Sequence, residues 1–233
     1  MYSYDFEKLQ KHVADIIGQH VESHSWQWLE KGSLFANDDQ AYTNFRITFS
    51  MAARKVPKGT VRIEGKQQQE IQTLLPGLHM EGWPVLQLCR AWLILQIDAS
   101  NETTYVQKVE ELFSNAEMNE LTALYAALPL LAYPTRWRLR CAEGIRSNIG
   151  SVLDAIMLNN PYPAAYLDEK AWNQLILKAV FTDKDIQKII GVKQRANLAL
   201  AAALRDYAEE RQSAHRAVSD QIWKLIEVNE SPA

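Results

Sequence analysis

The sequence predicts an all-α fold of about ten helices in stacked antiparallel pairs, forming an irregular α–α superhelix within one domain over residues 1–233. Three observations predict it. Apolar residues recur at three-four spacing almost from end to end, the period of a helix with one buried face. Glycine, proline and capping residues punctuate that pattern where helices start and stop. Strand-like sequence is confined to residues 60–63. A chain of 233 residues is long enough to bury a full core, no low-complexity linker divides it, and no strict repeat is present.

In order, residues 4–30 place Phe6, Leu9, Val13, Ile16 and Ile17 on one helical face, and Gly32 stands just past the expected end. Asp38 or Asp39 is positioned to cap the next helix, on which Tyr42, Phe45, Phe49, Ala52 and Val56 repeat before Pro57. PKGTVRIEGK is the clear loop, followed by a short helix near 67–75 and a turn at Pro76, Gly77 and Gly82. Pro84 suits a first helical position, and PVLQLCRAWLILQI (84–97) is apolar nearly all round, as a central buried helix is. Helices are expected at 103–114, 117–132 and 135–147. Pro129 should kink the second, because it cannot donate to the Tyr125 carbonyl. Asn148 can cap a new helix after a break at 147–149, although the stripe from Trp137 to Ile156 also permits one long helix. NNPYP (159–163) makes a rigid corner, since an Asn can end a helix in left-handed geometry and each proline restricts its predecessor. Asp168 then caps a helix carrying Trp172, Leu175, Ile176 and Ala179 inward. A short helical turn near 184–190 ends at Gly191, an alanine-rich helix spans 196–215, and Ser219 caps a last helix ending near Ile226, before a flexible tail over 229–233.

Twenty-five Lys and Arg against 28 Asp and Glu give a net charge of −3, without the basic field of a nucleic-acid binder, so no nucleic-acid partner is expected. Cys89 and Cys141 lie in apolar helical pattern without CxxC spacing and read as buried small hydrophobes in a reducing compartment. The polar, amphipathic start reads as helix, and no secretory leader is expected. The longest uncharged run, 121–135, is interrupted by Pro129 and Pro134 and falls short of the roughly 20 apolar residues of a spanning helix. A cytoplasmic protein with no transmembrane segment is expected.

Complete catalytic motifs are absent. Gly59, Gly65 and Lys66 fail as a phosphate loop: five residues separate the glycines, and Gln67 stands where Ser or Thr must reach magnesium. His20 and His24 share a helix face but have no third ligand from the same element, so no metal and no other cofactor is expected. Asp38-Asp39 lacks the spaced third carboxylate of a prenyl-diphosphate magnesium site. No GxSxG, GxGxxG or Cys–His signature occurs.

What does stand out is the stretch 142–181, where polar side chains interrupt core-forming pattern. Asn competes for backbone hydrogen bonds and is a poor helix former, so Asn148, Asn159, Asn160 and Asn173 need a reason to be there. The preceding helix holds Arg136, Arg138, Arg140 and Arg146 against Glu143 alone. Arg146 beside Asn148 offers a planar fork to a carboxylate or phosphate, with a solvated arginine face as the bland alternative. The 159–163 corner can hold the Asn160 amide and the Tyr162 hydroxyl over a pocket. Lys178, Arg195 and Asn197 follow on the next two elements; Arg195 has no acidic partner nearby in sequence, and Asn197 also reads as a cap or first-turn residue. The candidate ligand-binding residues are therefore Arg146, Asn148, Asn160, Tyr162, Asn173, Lys178, Arg195 and Asn197.

From about 121 to 223 the chain also resembles the EboA family. The words AEGIRSN (142–148), NPYP (160–163), AWNQ (171–174), Lys178-Ala179, Arg195-Ala196-Asn197, and Asp206-Tyr207-Ala208 followed by Glu210-Arg211 carry the resemblance in order. Glu209 departs from an expected His, and Lys193-Gln194 from a more acidic-basic pair. The resemblance implies a compact helical protein tied to metabolite traffic in a gene cluster of secondary metabolism, and it implies no catalytic residues. The expected function is a non-catalytic accessory protein binding a small anionic or prenylated intermediate, or partner proteins of the same cluster. The alternatives are an enzyme holding an anionic metabolite with Arg146, Lys178 and Arg195, its proton moved by Glu143 or Glu210, and a pure protein-interaction scaffold.

Overall fold

A computed structural model describes residues 1–230. Over these residues the fold is all-α, with thirteen α-helices, 69% helical content and no sheet. The strand-like run amounts to one isolated bridge between Thr60 and Pro84.

The first predicted helix is two. Helix α1 (Phe6–His20) ends where Val21 turns extended and drops into the core, and α2 (Ser23–Ser33) then packs on α3 (Tyr42–Lys55). That packing is close: a Cβ on Gly32 would meet Thr48 Cγ2 at 2.2 Å. Neither aspartate is the cap residue of α3, which is Ala41. Asp38 accepts from the Gln40 and Ala41 amides just before it, and Asp39 pairs with Lys108. Helix α4 (Gly65–Leu74) follows, and Gly77 and Gly82 take the positive φ values (86° and 81°) that suit glycine.

Helix α5 (Val85–Ile94) is the hub, buried on most sides, with α1, α2, α3 and α7 packed against it. Helices α6 (Glu102–Asn115) and α7 (Met118–Ala126) come next. Pro129 ends α7 rather than kinking a longer helix, and sits in a 3-10 turn, Leu128–Leu130. The Tyr125 carbonyl that Pro129 leaves without its helical donor accepts from the Asn160 amide at 3.2 Å.

The break near 148 is real. Helix α8 (Arg138–Arg146) stops, and α9 (Gly150–Met157) starts with Ile149, not Asn148, at the cap, while the Asn148 oxygen accepts from Lys178 Nζ at 3.0 Å. The corner that follows holds Asn159 at φ 54° and carries a short helix, α10 (Tyr162–Tyr166), so Tyr162 is helical despite preceding Pro163. Asp168 caps α11 (Glu169–Phe181) through the Ala171 amide, and Asn197 caps α12 (Leu198–Ser213) through the Leu200 amide. Between them, the turn near 184–190 is a 3-10 turn, Ile186–Lys188. Helix α13 (Asp220–Glu230) runs past the predicted end. Asn229, expected in a flexible tail, is fully buried, donating to the Leu225 carbonyl and accepting from the Asn197 amide; residues 231–233 lie outside the described residues.

One cluster of buried apolar side chains runs from Leu9 to Ile226. Consecutive helices pack as α2–α3, α8–α9, α11–α12 and α12–α13, while α5–α7, α7–α9 and α8–α11 contacts knit these together.

Candidate ligand-binding cleft

The bridge between Thr60 and Pro84 places the loop after α3 beside the start of α5. The Val85 amide donates to the Gly59 carbonyl (3.0 Å), and the Val61 amide to the Trp83 carbonyl (2.8 Å). Opposite stand α7 and α9, whose Thr122 and Ser151 hydroxyls are in hydrogen-bond contact at 3.0 Å. Between these walls lie two adjoining cavities of about 550 and 340 Å³, which share Pro84, Gln87, Thr122 and Ser151.

At the wall of the larger cavity is Arg90, on α5 and only 3% exposed. Its Nε donates to the Phe49 carbonyl (3.1 Å), its Nη2 reaches the Ser50 carbonyl (3.5 Å) and Glu120 Oε1 (3.3 Å), and its plane lies over the Phe49 ring. Burial pushes the guanidinium below its usual pKa, and Glu120 and Glu117 pull it back up. Glu120 in turn accepts from the Glu117 amide within a capping box, so the pair fixes α5 to the start of α7. The other ionisable groups along the two cavities are Lys58, His79, Glu81 and Asp154. Both of these carboxylates have partners: Glu81 accepts from the Ile63 amide at 2.6 Å and pairs with Arg62, and Asp154 pairs with Lys184 at 2.7 Å.

The eight residues singled out from sequence fall into three groups. Asn160 lines the smaller cavity and is itself 4% exposed. Its amide donates to the Tyr125 and Ala155 carbonyls and accepts from the Tyr162 amide, while the buried Tyr162 hydroxyl donates to the Pro134 carbonyl at 2.6 Å. Burial raises the Tyr162 pKa well above the usual tyrosine range, so the hydroxyl stays protonated as that donor. Asn173 and Asn197 exchange amide hydrogen bonds at 3.1 and 2.9 Å, and Arg195 spends Nη1 and Nη2 on the Ala164 and Leu167 carbonyls of the α10 end, over the Trp172 ring. Lys178 holds Asn148 on the surface, and Arg146 is exposed nearby on α8 with no ion pair among the described residues. These groups do not converge on one pocket. The Arg-rich helix is partly neutralised across the fold: Arg140 pairs with Glu110 and Glu143, and Arg136 with Glu102.

His20 is engaged at both ring nitrogens, with Nδ1 on the Ile16 carbonyl and Nε2 accepting from the Arg62 amide, while His24 pairs with Glu22. No group of three or more His, Cys, Asp or Glu side chains able to hold a metal occurs among the described residues.

Sequence reasoning passed over Arg90, Lys58, Gln87, Asn119, Thr122 and Ser151. One signal was visible: Arg90 is the single charged residue in the apolar run 84–97, and a lone charge in a buried helix requires a partner.

A family model described as metabolite traffic protein EboA matches residues 9–227. The chain belongs to the EboA family. No curated protein and no solved structure matches it. The EboA match reaches well beyond the 121–223 words that first carried the resemblance and takes in the whole of both cavities. No helix among the described residues is long and apolar enough to cross a membrane.

Proposed function

We propose that this EboA-family chain is a non-catalytic accessory protein that holds a small anionic or prenylated intermediate during metabolite traffic, in the cytoplasm and beside partner proteins of the same gene cluster. The observation carrying this reading is the pair of adjoining cavities whose walls mix apolar side chains with a few fixed polar groups, the usual make-up of a small-molecule site. Catalysis needs a nucleophile or proton-transfer group set against a base or a developing charge. The cleft carboxylates are instead tied to Arg62 and Lys184. The enzyme alternative through Arg146, Lys178 and Arg195 draws no support from their positions, since Arg195 is committed to backbone carbonyls and lies apart from Arg146. We assign Asn160, Tyr162, Asn173, Arg195 and Asn197 to building the framework behind the cleft, and Arg146, Asn148 and Lys178 to a surface that a partner protein contacts.

Native mass spectrometry of protein taken directly from its host tests the proposal. A single small molecule retained at one per chain, returned unchanged after incubation, is expected. Protein free of ligand together with unchanged metabolite distribution in a deletion strain sinks it, and so does conversion of the retained molecule into a product.

A further inference from the structure

The two cavities differ in charge. The ionisable groups lining the larger are both cationic, Lys58 and Arg90, whereas the acids Glu81 and Asp154 line only the smaller one. Arg90 is buried, yet its Nη1 has no hydrogen-bond partner among the described residues, since Nε and Nη2 make all its contacts to Phe49, Ser50 and Glu120. A role confined to pinning α5 to α7 requires only those two nitrogens. Nη1 is not among the fully buried unpartnered polar atoms, so this one nitrogen of the group keeps access to solvent, and an oxyanion is the partner that a guanidinium edge fits best.

We infer that the larger cavity is the head-group site for an amphipathic oxyanion, a carboxylate or phosphate on an apolar body, bound by Arg90 Nη1 and Lys58. This rests on the proposed function and names the ligand class of that same cleft. Gln87, Asn119, Thr122 and Ser151 supply neutral polar contacts around the head, and Val56 and Leu86 supply apolar wall. Past the shared Gln87, the apolar body runs into the smaller cavity against Trp83, Ala126 and Leu158. No lysine or arginine lines that smaller cavity to hold a second negative charge, and its carboxylates are already paired with Arg62 and Lys184, so the head group seats at the Arg90 end.

The probes are decyl phosphate, decanoate, decanol and decyltrimethylammonium, each below its micelle concentration, with inorganic phosphate as the head alone. Binding is followed by calorimetry on the full chain. At least one of the two decyl oxyanions should bind at one per chain, and the tighter of the two identifies the head. Lys58→Glu, at an exposed position, should weaken it about tenfold or more, as loss and reversal of a charge-assisted contact does. Ser151→Trp should fill the shared wall and abolish it. The double variant Arg90→Met/Glu120→Met removes the buried charges together, avoiding a lone buried carboxylate, and should weaken the oxyanion as Lys58→Glu does. If the double variant fails to fold, the two single variants decide. Equal binding of decanol or decyltrimethylammonium, no binding of either oxyanion, or oxyanion binding indifferent to Lys58→Glu and Ser151→Trp overturns the inference. A molecule retained from the host that survives both single variants overturns it too, while leaving the wider function intact. Host protein devoid of ligand, with metabolite distribution unchanged in the deletion strain, that still binds a decyl oxyanion here has the reverse meaning: the site stands and the traffic role falls.

Discussion

At the scale of single residues, Asn160 uses one amide to satisfy the carbonyl left open by Pro129, the Ala155 carbonyl and the Tyr162 amide. Asn160→Ala removes all three of these bonds and should cost about 2–4 kcal/mol, read as a clear fall in Tm, with an unchanged Tm as the refuting result. Arg146 gives the opposite expectation. Exposed and without an ion pair, it should tolerate Arg146→Ala within about 0.5 kcal/mol. Loss of pathway function in the host at near-native Tm would mark it as a contact residue. The cysteines follow from burial alone: it raises the Cys89 pKa to about 12 and pushes Cys141 higher still. Native protein should therefore give no rapid reaction with a thiol reagent at pH 8, and denatured protein should give two equivalents. Fast labelling of either thiol in native protein would contradict its placement. Residue types at these positions were readable from sequence, and Asn159 in left-handed geometry and Asn197 as a cap were legible because local rules decide both. The bonds from Asn160 to Tyr125, from Asn173 to Asn197 and from Arg195 to Ala164 and Leu167 were not, since those partners lie 24–35 residues away in the chain.

Among the elements, α8 approaches its neighbours as closely as α2 approaches α3. A Cβ on Gly144 would sit 2.4 Å from Ile156 Cδ1 and 2.6 Å from Tyr125 Cε1, so α8 meets α9 and α7 almost backbone to side chain. Gly144→Val should overpack this junction by roughly 1–3 kcal/mol or more, seen as a lowered denaturation midpoint, even though valine would otherwise suit a core. A midpoint at or above the parent's would show that the junction yields freely. Between α5 and α7 the buried Arg90–Glu120 pair sets another expectation: Arg90→Ala strands a carboxylate and should cost on the order of 3–5 kcal/mol. A loss below about 1 kcal/mol would place the pair in solvent contact. Helix boundaries came through from sequence where a cap or a proline sets them, as at Asp168 and Asn197. They failed at Val21 and Pro129, where periodicity continued and the chain nonetheless turned to follow the core.

For the whole molecule, far-UV circular dichroism should give a helical content near 69%, and a spectrum with about one-fifth strand or more would contradict the fold. The sequence by itself determined the helical class, most of the element order, the burial of α5 and the words that carry the family, because helical periodicity, capping and turn chemistry act over a few residues. It also marked the polar residues of 142–197 as needing partners. Only the tertiary structure decided what those partners are: Asn160, Tyr162 and Arg195 serve backbone groups from other helices, and Asn229 is locked into α13 and not loose in a tail. The cleft was decided at that level too. Its walls come from the loop after α3, the start of α5, α7 and α9, segments spread from Ala53 to Asn160, and a cavity exists only where chain-distant surfaces meet without filling the space between them.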